Sequence, residues 1–277
     1  MSAGIFISSL ILALIILPLL AWKWNIKIST AITGSIILGA ITGFIINWIK
    51  ASVVDLHMAL FVLIEIPIIL FLTFIIILAR FYRDPERTPR EIEEVILSPA
   101  DGKVIYISKV EKGSSLVTTK GKKKFELDEI TSTDFLNDAA YIVGIDMNVL
   151  NVHVNRAPVG GEIVFQKRTK GKFISLRRPE SIIMNERVTT VIGNGEFNVG
   201  VVQISSRLVR KIVSYVKKGD VLDIGHRIGS IVFGSQVDVV IPGLENLKIE
   251  VRVNEEVKAG ISIIARYGGS VIPKSIG

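Results

Sequence analysis

The stretch IVFGSQVDVVIP, Ile231 to Pro242, reads as a β-strand interrupted near its start. Ile231-Val232-Phe233 and Val237-Asp238-Val239-Val240-Ile241 are rich in the β-branched and aromatic residues that strands favour. Gly234-Ser235 sits between them, and a glycine inside a strand loses backbone entropy and packs nothing. Runs of the same kind fill the chain from Glu91 onward: KVIYISKV, YIVGIDM, GEIVFQK, FNVGVVQIS and KIEVRV, separated by clusters of Gly, Asp, Asn and Lys. That spacing predicts a mainly-β domain over residues 91–277 with few short helices.

Within this domain the best helix candidate is Arg207–Tyr215 (RLVRKIVSY), where apolar residues recur at helical spacing. KGKKKFELDE, Lys120–Glu129, reads as a charged hairpin or loop. A faint internal echo is present. SPADGKVI (Ser98–Ile105) and APVGGEIV (Ala157–Val164) share Pro-x-x-Gly-x-[VI]-[VI]. VKKGDVLDIGHRIGSI (Val216–Ile231) and VKAGISIIARY (Val257–Tyr267) share a Val-Lys-x-Gly lead. Paired hairpins of this kind suggest two related β layers, a sandwich–barrel hybrid.

The first 80 residues are different. The chain of 277 residues is 49% hydrophobic, and its mean hydropathy of +0.50 is high for a soluble protein. Three apolar runs at the N-terminus account for this: about 5–22, 31–49 and 56–79, with Glu65 and the border residue His57 the only ionisable groups of the third. Each is about long enough to cross a hydrocarbon core. Lys23 and Lys27 follow the first run, and Arg80, Arg83, Arg87 and Arg90 follow the third. The loop between the second and third has Lys50, offset by Asp55. The positive-inside bias predicts a multi-pass protein of the cell membrane, with the N-terminus outside and everything from Arg80 on in the cytoplasm. Residues 81–90 (FYRDPERTPR) read as a juxtamembrane connector, because Asp84-Pro85 and Thr88-Pro89 disfavour a continued helix. The same bias accounts for Arg83 and Arg87. Glu65 reads as a carboxyl turned toward another helix.

Composition narrows the chemistry. There is no cysteine, so disulfides, thiol nucleophiles and cysteine metal sites are excluded. Three histidines (57, 153 and 226) make a multi-histidine metal site a poor reading, while a carboxylate site for a hard cation stays open. The net charge of +7 suits an anionic lipid surface. The aromatic–basic interleaving of nucleic-acid binders is missing, so no nucleic-acid partner is expected.

Gly234-Ser235 has two readings. A glycine in a strand usually marks a bulge or a close approach. Alternatively the peptide bond itself reacts. The serine hydroxyl attacks the preceding carbonyl in an N→O acyl shift, and β-elimination then cuts the chain and leaves a pyruvoyl group. Glycine suits this because it has no Cβ to block the attack, and the serine would need a nearby base. From spacing alone the inert reading is favoured.

The accompanying motifs change that balance. FYRDPER, SPADGKV, VHVNRAPVGG and RIGSIVFGSQVDVVIP occur in this order from Phe81 to about Tyr267. Together they resemble the pyruvoyl-dependent phosphatidylserine decarboxylase family, in its short branch and closest to archaeal archaetidylserine decarboxylases. The resemblance implies a zymogen that cleaves itself between Gly234 and Ser235, giving a β chain, 1–234, and an α chain, 235–277. Ser235 becomes the pyruvoyl group, a covalent cofactor that forms a Schiff base with the serine amine of the lipid, so no diffusible cofactor or metal is implied. Asp101 matches the family's acidic self-cleavage residue; Asp-Gly is also a strong turn signal. His153 matches the first histidine of a His-x-x-His motif, with a pKa range suited to acid–base work. Arg156 stands where the second histidine is expected. The residue after the serine departs too, Gln236 replacing a threonine. Arg156 and Asn155 are candidate substrate-binding residues, a salt bridge within the fold being the other reading for Arg156. His226 reads as peripheral. The implied reaction is decarboxylation of a serine phospholipid to the ethanolamine lipid and CO2, and the family implies a homodimer.

A rival of another class is a membrane-tethered biotinyl- or lipoyl-like β module, since VKKGDVLDIGHRIGSI fits such a hairpin. The modifiable lysine at a hairpin tip and the long helical hairpin of adaptors are both missing, and hairpin likeness does not carry function.

Overall fold

A computed structural model describes residues 3–24, 26–52, 58–109, 116–117, 124–125, 131, 139–172, 174–176, 178, 180–206, 211–232 and 235–268. The chain divides into two compact units, Met1–Arg83 with Asn148–Leu150, and Asp84–Met147 with Asn151–Gly277.

The first unit holds three helices, α1 (Ala3–Lys23), α2 (Ile28–Ser52) and α3 (Met58–Phe81), each long and apolar enough to cross a membrane. They cover the three predicted runs; His57, at the border of the third, lies outside the described residues. α1 and α2 approach through small side chains. Ser9 and Ala13 of α1 and Ser35, Gly39 and Gly43 of α2 are buried. A Cβ at Gly39 would lie 2.9 Å from the Leu10 Cα, the close backbone approach that a Gly-x-x-x-Gly pair permits. Glu65 is fully buried in this unit, and the Ser8 hydroxyl donates to its Oε1 at 2.8 Å.

The second unit is almost entirely β. Its main sheet has eight antiparallel strands in the order β11 (Val221–Leu222), β7 (Gly161–Thr169), β8 (Arg187–Gly193), β9 (Asn198–Ser205), β13 (Ser235–Pro242), β5 (Ala139–Met147), β2 (Gly102–Lys109) and β15 (Glu256–Val257). Two three-stranded sheets accompany it. One is β10 (Ile212–Ser214), β12 (Arg227–Ile231) and β6 (Val154–Arg156). The other is β14 (Lys248–Ile249), β16 (Ile263–Arg266) and β1 (Val95–Leu97). One face of the main sheet packs Val104, Ile145, Ile163, Ile192, Val199, Val237 and Val239 into a core. The other packs Tyr106, Ile142, Val202 and Val240 against Ile182 of the short helix α4 (Ser181–Met184). With both faces covered, all eight residues of β13 are buried, which is why its sequence does not alternate.

Of the charged segment, Lys124–Phe125 are described: they form strand β4, paired with β3 (Leu116–Val117). The predicted helix is corrected. Residues 207–210 lie outside the described set, and Ile212–Ser214 form strand β10, paired with Gly229–Ile231 of β12. Two β-branched residues with a waiting sheet edge outweigh helical spacing.

The internal echo is a two-fold repeat. One copy is β6 to β12; the other is β1, β2 and β5 continued by β13 to β16. The register matches: Ile163–Ile192–Val199 in one copy stand as Val104–Ile145–Val237 in the other. Both copies carry a bulge at the same place, between Ile163 and Phe165 and between Val104 and Tyr106. Gly161 and Gly102 open equivalent strands, and a Cβ on either would fall on a carbonyl oxygen of the neighbouring strand, that of Gly193 or Asp146. The Val-Lys-x-Gly alignment is corrected. Gly219 matches Asn254, at φ 93° and 76°, and Gly225 matches Gly260, at 81° and 68°. The Asp220 carboxylate accepts from the Lys217 N–H, as that of Glu255 does from Arg252. By this register Ser235 corresponds to Phe197. The first copy's hairpin turn, Asn194–Phe197, is therefore the point at which the second copy is opened to admit the whole of the first.

Candidate active site

Ser235 is the first residue of β13 and is fully buried. It pairs with Met147 of β5 and Ser205 of β9. Among the described residues its hydroxyl makes one polar contact, to the Met147 sulfur at 3.3 Å, and a thioether is a weak acceptor. Asn155 meets the same sulfur through its Nδ2 at 3.8 Å and accepts a hydrogen bond from Gln203 Nε2 at 2.8 Å. Ser235 and Asn155 thus flank one sulfur. Gly234 lies outside the described residues.

His153 precedes β6 and is 2% exposed. Its carbonyl accepts from the Ile231 N–H at 3.2 Å, which ties it to the segment entering Ser235. Its Nδ1 lies 2.9 Å from the Asn151 carbonyl. A carbonyl only accepts, so Nδ1 carries the proton and Nε2 is the basic nitrogen. Burial pushes the imidazole down to about 4, although the Asn151 carbonyl and the Asp101 charge both oppose that fall. His153 is therefore neutral at physiological pH.

Asp101 occupies the turn before β2. That turn is stitched to β6 by the Arg156 N–H donating to the Pro99 carbonyl, and to the turn after β15 by the Gly260 N–H donating to the Ser98 carbonyl. The Asp101 carboxylate accepts two hydrogen bonds from Arg87, at 2.5 and 2.9 Å, and one from the Ala259 N–H at 2.8 Å. Its charge reaches His153, whereas none of its hydrogen bonds goes to Ser235.

Arg156 is 3% exposed and turned to the connector. It donates to the carbonyls of Gly225 and Pro85, both at 3.0 Å, and to Asp84 at 3.3 Å. His226 caps the Asp223–His226 turn through its N–H. Two residues that sequence reasoning passed over belong to the arrangement. Arg87, assigned to membrane-side charge, is a 10% exposed partner of Asp101; its signal was the fixed motif FYRDPER. Met147 has no sequence signal at all.

Known proteins resemble this chain over most of its length. A family model described as phosphatidylserine decarboxylase matches residues 74–265. A protein of Methanocaldococcus jannaschii named archaetidylserine decarboxylase proenzyme is 41% identical over 185 residues, 67% of this chain and 87% of its own. One of the same name from Methanothermobacter thermautotrophicus is 35% identical over 201 residues, 72% of this chain and 84% of its own. A phosphatidylserine decarboxylase proenzyme of Carboxydothermus hydrogenoformans is 33% identical over 202 residues, 73% of this chain and 84% of its own. The match runs from α3 through the connector and every strand of the β unit, so the chain belongs to the phosphatidylserine decarboxylase family, a family of carboxy-lyases.

Proposed function

We propose that the chain is made as a proenzyme, cuts itself between Gly234 and Ser235, and then removes the carboxylate of a serine phospholipid to give the ethanolamine lipid and CO2. The observation that carries this reading is the buried Ser235 hydroxyl, whose one partner among the described residues is a thioether. In the cut, Ser235 Oγ attacks the Gly234 carbonyl and the acyl group moves from nitrogen to oxygen. Loss of the Ser235 Cα proton expels the Gly234 carboxylate. Water then replaces the nitrogen, which leaves as ammonia, and a pyruvoyl group remains on the 235–277 chain.

His153 serves as base. Its neutral Nε2 takes the serine proton, since Nδ1 already carries a proton, donated to Asn151. Asp101 stabilises the imidazolium that results. The pyruvoyl group supplies a carbonyl that captures the substrate amine and withdraws the electrons of the breaking carboxylate bond, as pyridoxal phosphate does elsewhere. His153, once protonated, returns a proton to the former Cα. Asn155, beside Ser235, is placed to hold a polar group of the substrate. Arg156 serves the connector instead.

The helices hold the enzyme in the membrane where its substrate lies. The charges after α1 and α3 favour an outer N-terminus and a cytoplasmic catalytic unit. The archaeal relatives favour archaetidylserine, and phosphatidylserine presents the same head group. A denaturing gel with intact masses tests the reading. Wild type gives two chains, the smaller lighter by one ammonia than the plain hydrolysis product, and Ser235→Ala gives one chain of 30.5 kDa. Folded wild-type protein that stays a single chain would falsify the proposal. Turnover of both lipids by the cut enzyme then separates the two substrates.

A further inference from the structure

The connector motif Arg83-Asp-Pro-Glu-Arg87 sets two acids between two arginines, and the β unit holds residues 84–87 one by one. Asp84 accepts from Arg227 Nε at 2.5 Å and from Arg156 at 3.3 Å. The Pro85 carbonyl accepts from Arg156. Glu86 accepts from Arg227 at 2.7 Å. Arg87 forks onto both oxygens of Asp101 and also donates to the Ala259 carbonyl at 2.8 Å. The two repeats are shaped for this. A Cβ on Gly225 would strike Pro89 of the connector, and one on its counterpart Gly260 would strike the Arg156 side chain. The pair Arg87–Asp101 is nearly dry, its side chains 10% and 7% exposed.

We propose that Arg87 is a positioning residue for the reaction, fixing the Asp101 carboxylate that faces His153. This rests on the function proposed above and adds to it a group from outside the β strands. A carboxylate with two oxygens can rotate. The two-pronged guanidinium and the Ala259 N–H hold it in one orientation. The groups bound to Asp101 are Arg87 on the connector and the Ala259 N–H after β15, and its charge acts on His153 before β6. Arg156 lies next to Arg87 and is itself tied to Asp84, so the clamp on residues 84–86 delivers Arg87 to its place. Ala259 lies downstream of the proposed cut, so Arg87 also holds the α chain beside Asp101.

The test follows self-cleavage of the full-length chain in detergent from pH 4 to 9 for wild type, Arg87→Lys and Arg87→Gln, with thermal melts to check folding. Loss of the cation leaves the Asp101 charge uncompensated, and that charge raises the proton affinity of His153. The acid limb of the rate profile in Arg87→Gln is therefore expected to move up by about one pH unit or more. Its rate at pH 7 is expected to drop at least about tenfold, within the range a positioned base supplies. Arg87→Lys keeps the charge without the fork, so it should hold the limb near the wild-type position and recover part of the rate. A purely structural role would lower the rate at every pH and leave the limb in place, and that result overturns the proposal, as does an unchanged profile. If Arg87→Gln does not fold, the lysine variant decides alone: a full wild-type rate refutes the need for the fork. A wild type that never cuts refutes the underlying function instead.

Discussion

Acidification tests the placement of His153 directly. The unfolded chain titrates this histidine near its ordinary value of 6.5, whereas burial holds the folded value at about 4. Between those values the unfolded state binds a proton that the folded state refuses, so stability falls as pH falls through the window and the loss levels off below the folded value. The whole shift amounts to about 3 kcal/mol, and lowering pH from 7 to 5 removes about 2 kcal/mol of it. This is a large share of the stability of a typical domain. The assay is urea unfolding of the Ser235→Ala chain, which stays in one piece, at both pH values, compared with the same chain carrying His153→Gln. Both chains contain the same carboxylates, so the difference of differences isolates the imidazole. With only three histidines in the chain, the resonance that His153→Gln removes can also be titrated by NMR. If both chains lose the same stability between pH 7 and 5, or if that resonance titrates near 6.5, the burial argument and the neutral base drawn from it are wrong.

Two further outcomes follow from the sheet. Gln236 Nε2 donates to the buried Asp238 carboxylate at 2.7 Å and to the Tyr106 hydroxyl at 3.3 Å, and burial with the Asp238 charge raises the Tyr106 phenol well above its ordinary value. Gln236→Thr, the residue expected from the longer relatives, removes a charge-assisted donor and should lower stability by about 1–3 kcal/mol in urea; an unchanged midpoint would show that the network does not depend on it. Gly102→Ala and Gly161→Ala each force a Cβ onto a neighbouring strand's carbonyl and should cost about 3 kcal/mol apiece. Tolerance at one site and not the other would break the equivalence of the repeats.

The helices were legible because lipid demands long uncharged runs, and the strands because β-branched residues cluster in them. β10 was not, since Ile212 and Val213 fit either period and only the edge of β12 decides between them. The repeat was visible at Gly102 and Gly161, where backbone contact fixes the residue type. Its second half was misaligned because Gly219 and Asn254 satisfy the same positive φ with different residues. In the candidate site, Ser235, Asp101 and His153 were singled out by motif order, and their surroundings were not legible. An arginine following a membrane span always has the positive-inside explanation, so the place of Arg87 in FYRDPER did not reveal that it reaches Asp101, 14 residues on. Arg156 was ambiguous for the opposite reason: a motif position expected to hold histidine suggests chemistry, while its geometry is that of a clamp.

The interruption in IVFGSQVDVVIP has a topological cause. In one repeat, strands β8 and β9 are joined by a four-residue turn, with Asn194 accepting from the Glu196 and Phe197 N–H groups at 3.0 Å. In the other, the corresponding strands β5 and β13 have no such turn, because the entire first repeat lies between them. Only two links then join the repeats, residues 148–153, which carry His153, and residues 232–234, which lead into Ser235. A cut after residue 234 removes one link without opening the sheet. β13 stays held by eight paired positions on β5 and six on β9, and its counterpart turns by β15 and β16 stay anchored to β2 and β1. A hairpin turn would have left no room for a new chain end beside a base. The opened junction leaves a serine at the start of one strand, a buried histidine on the other link, and enough strand pairing to keep both pieces in register if the chain is cut.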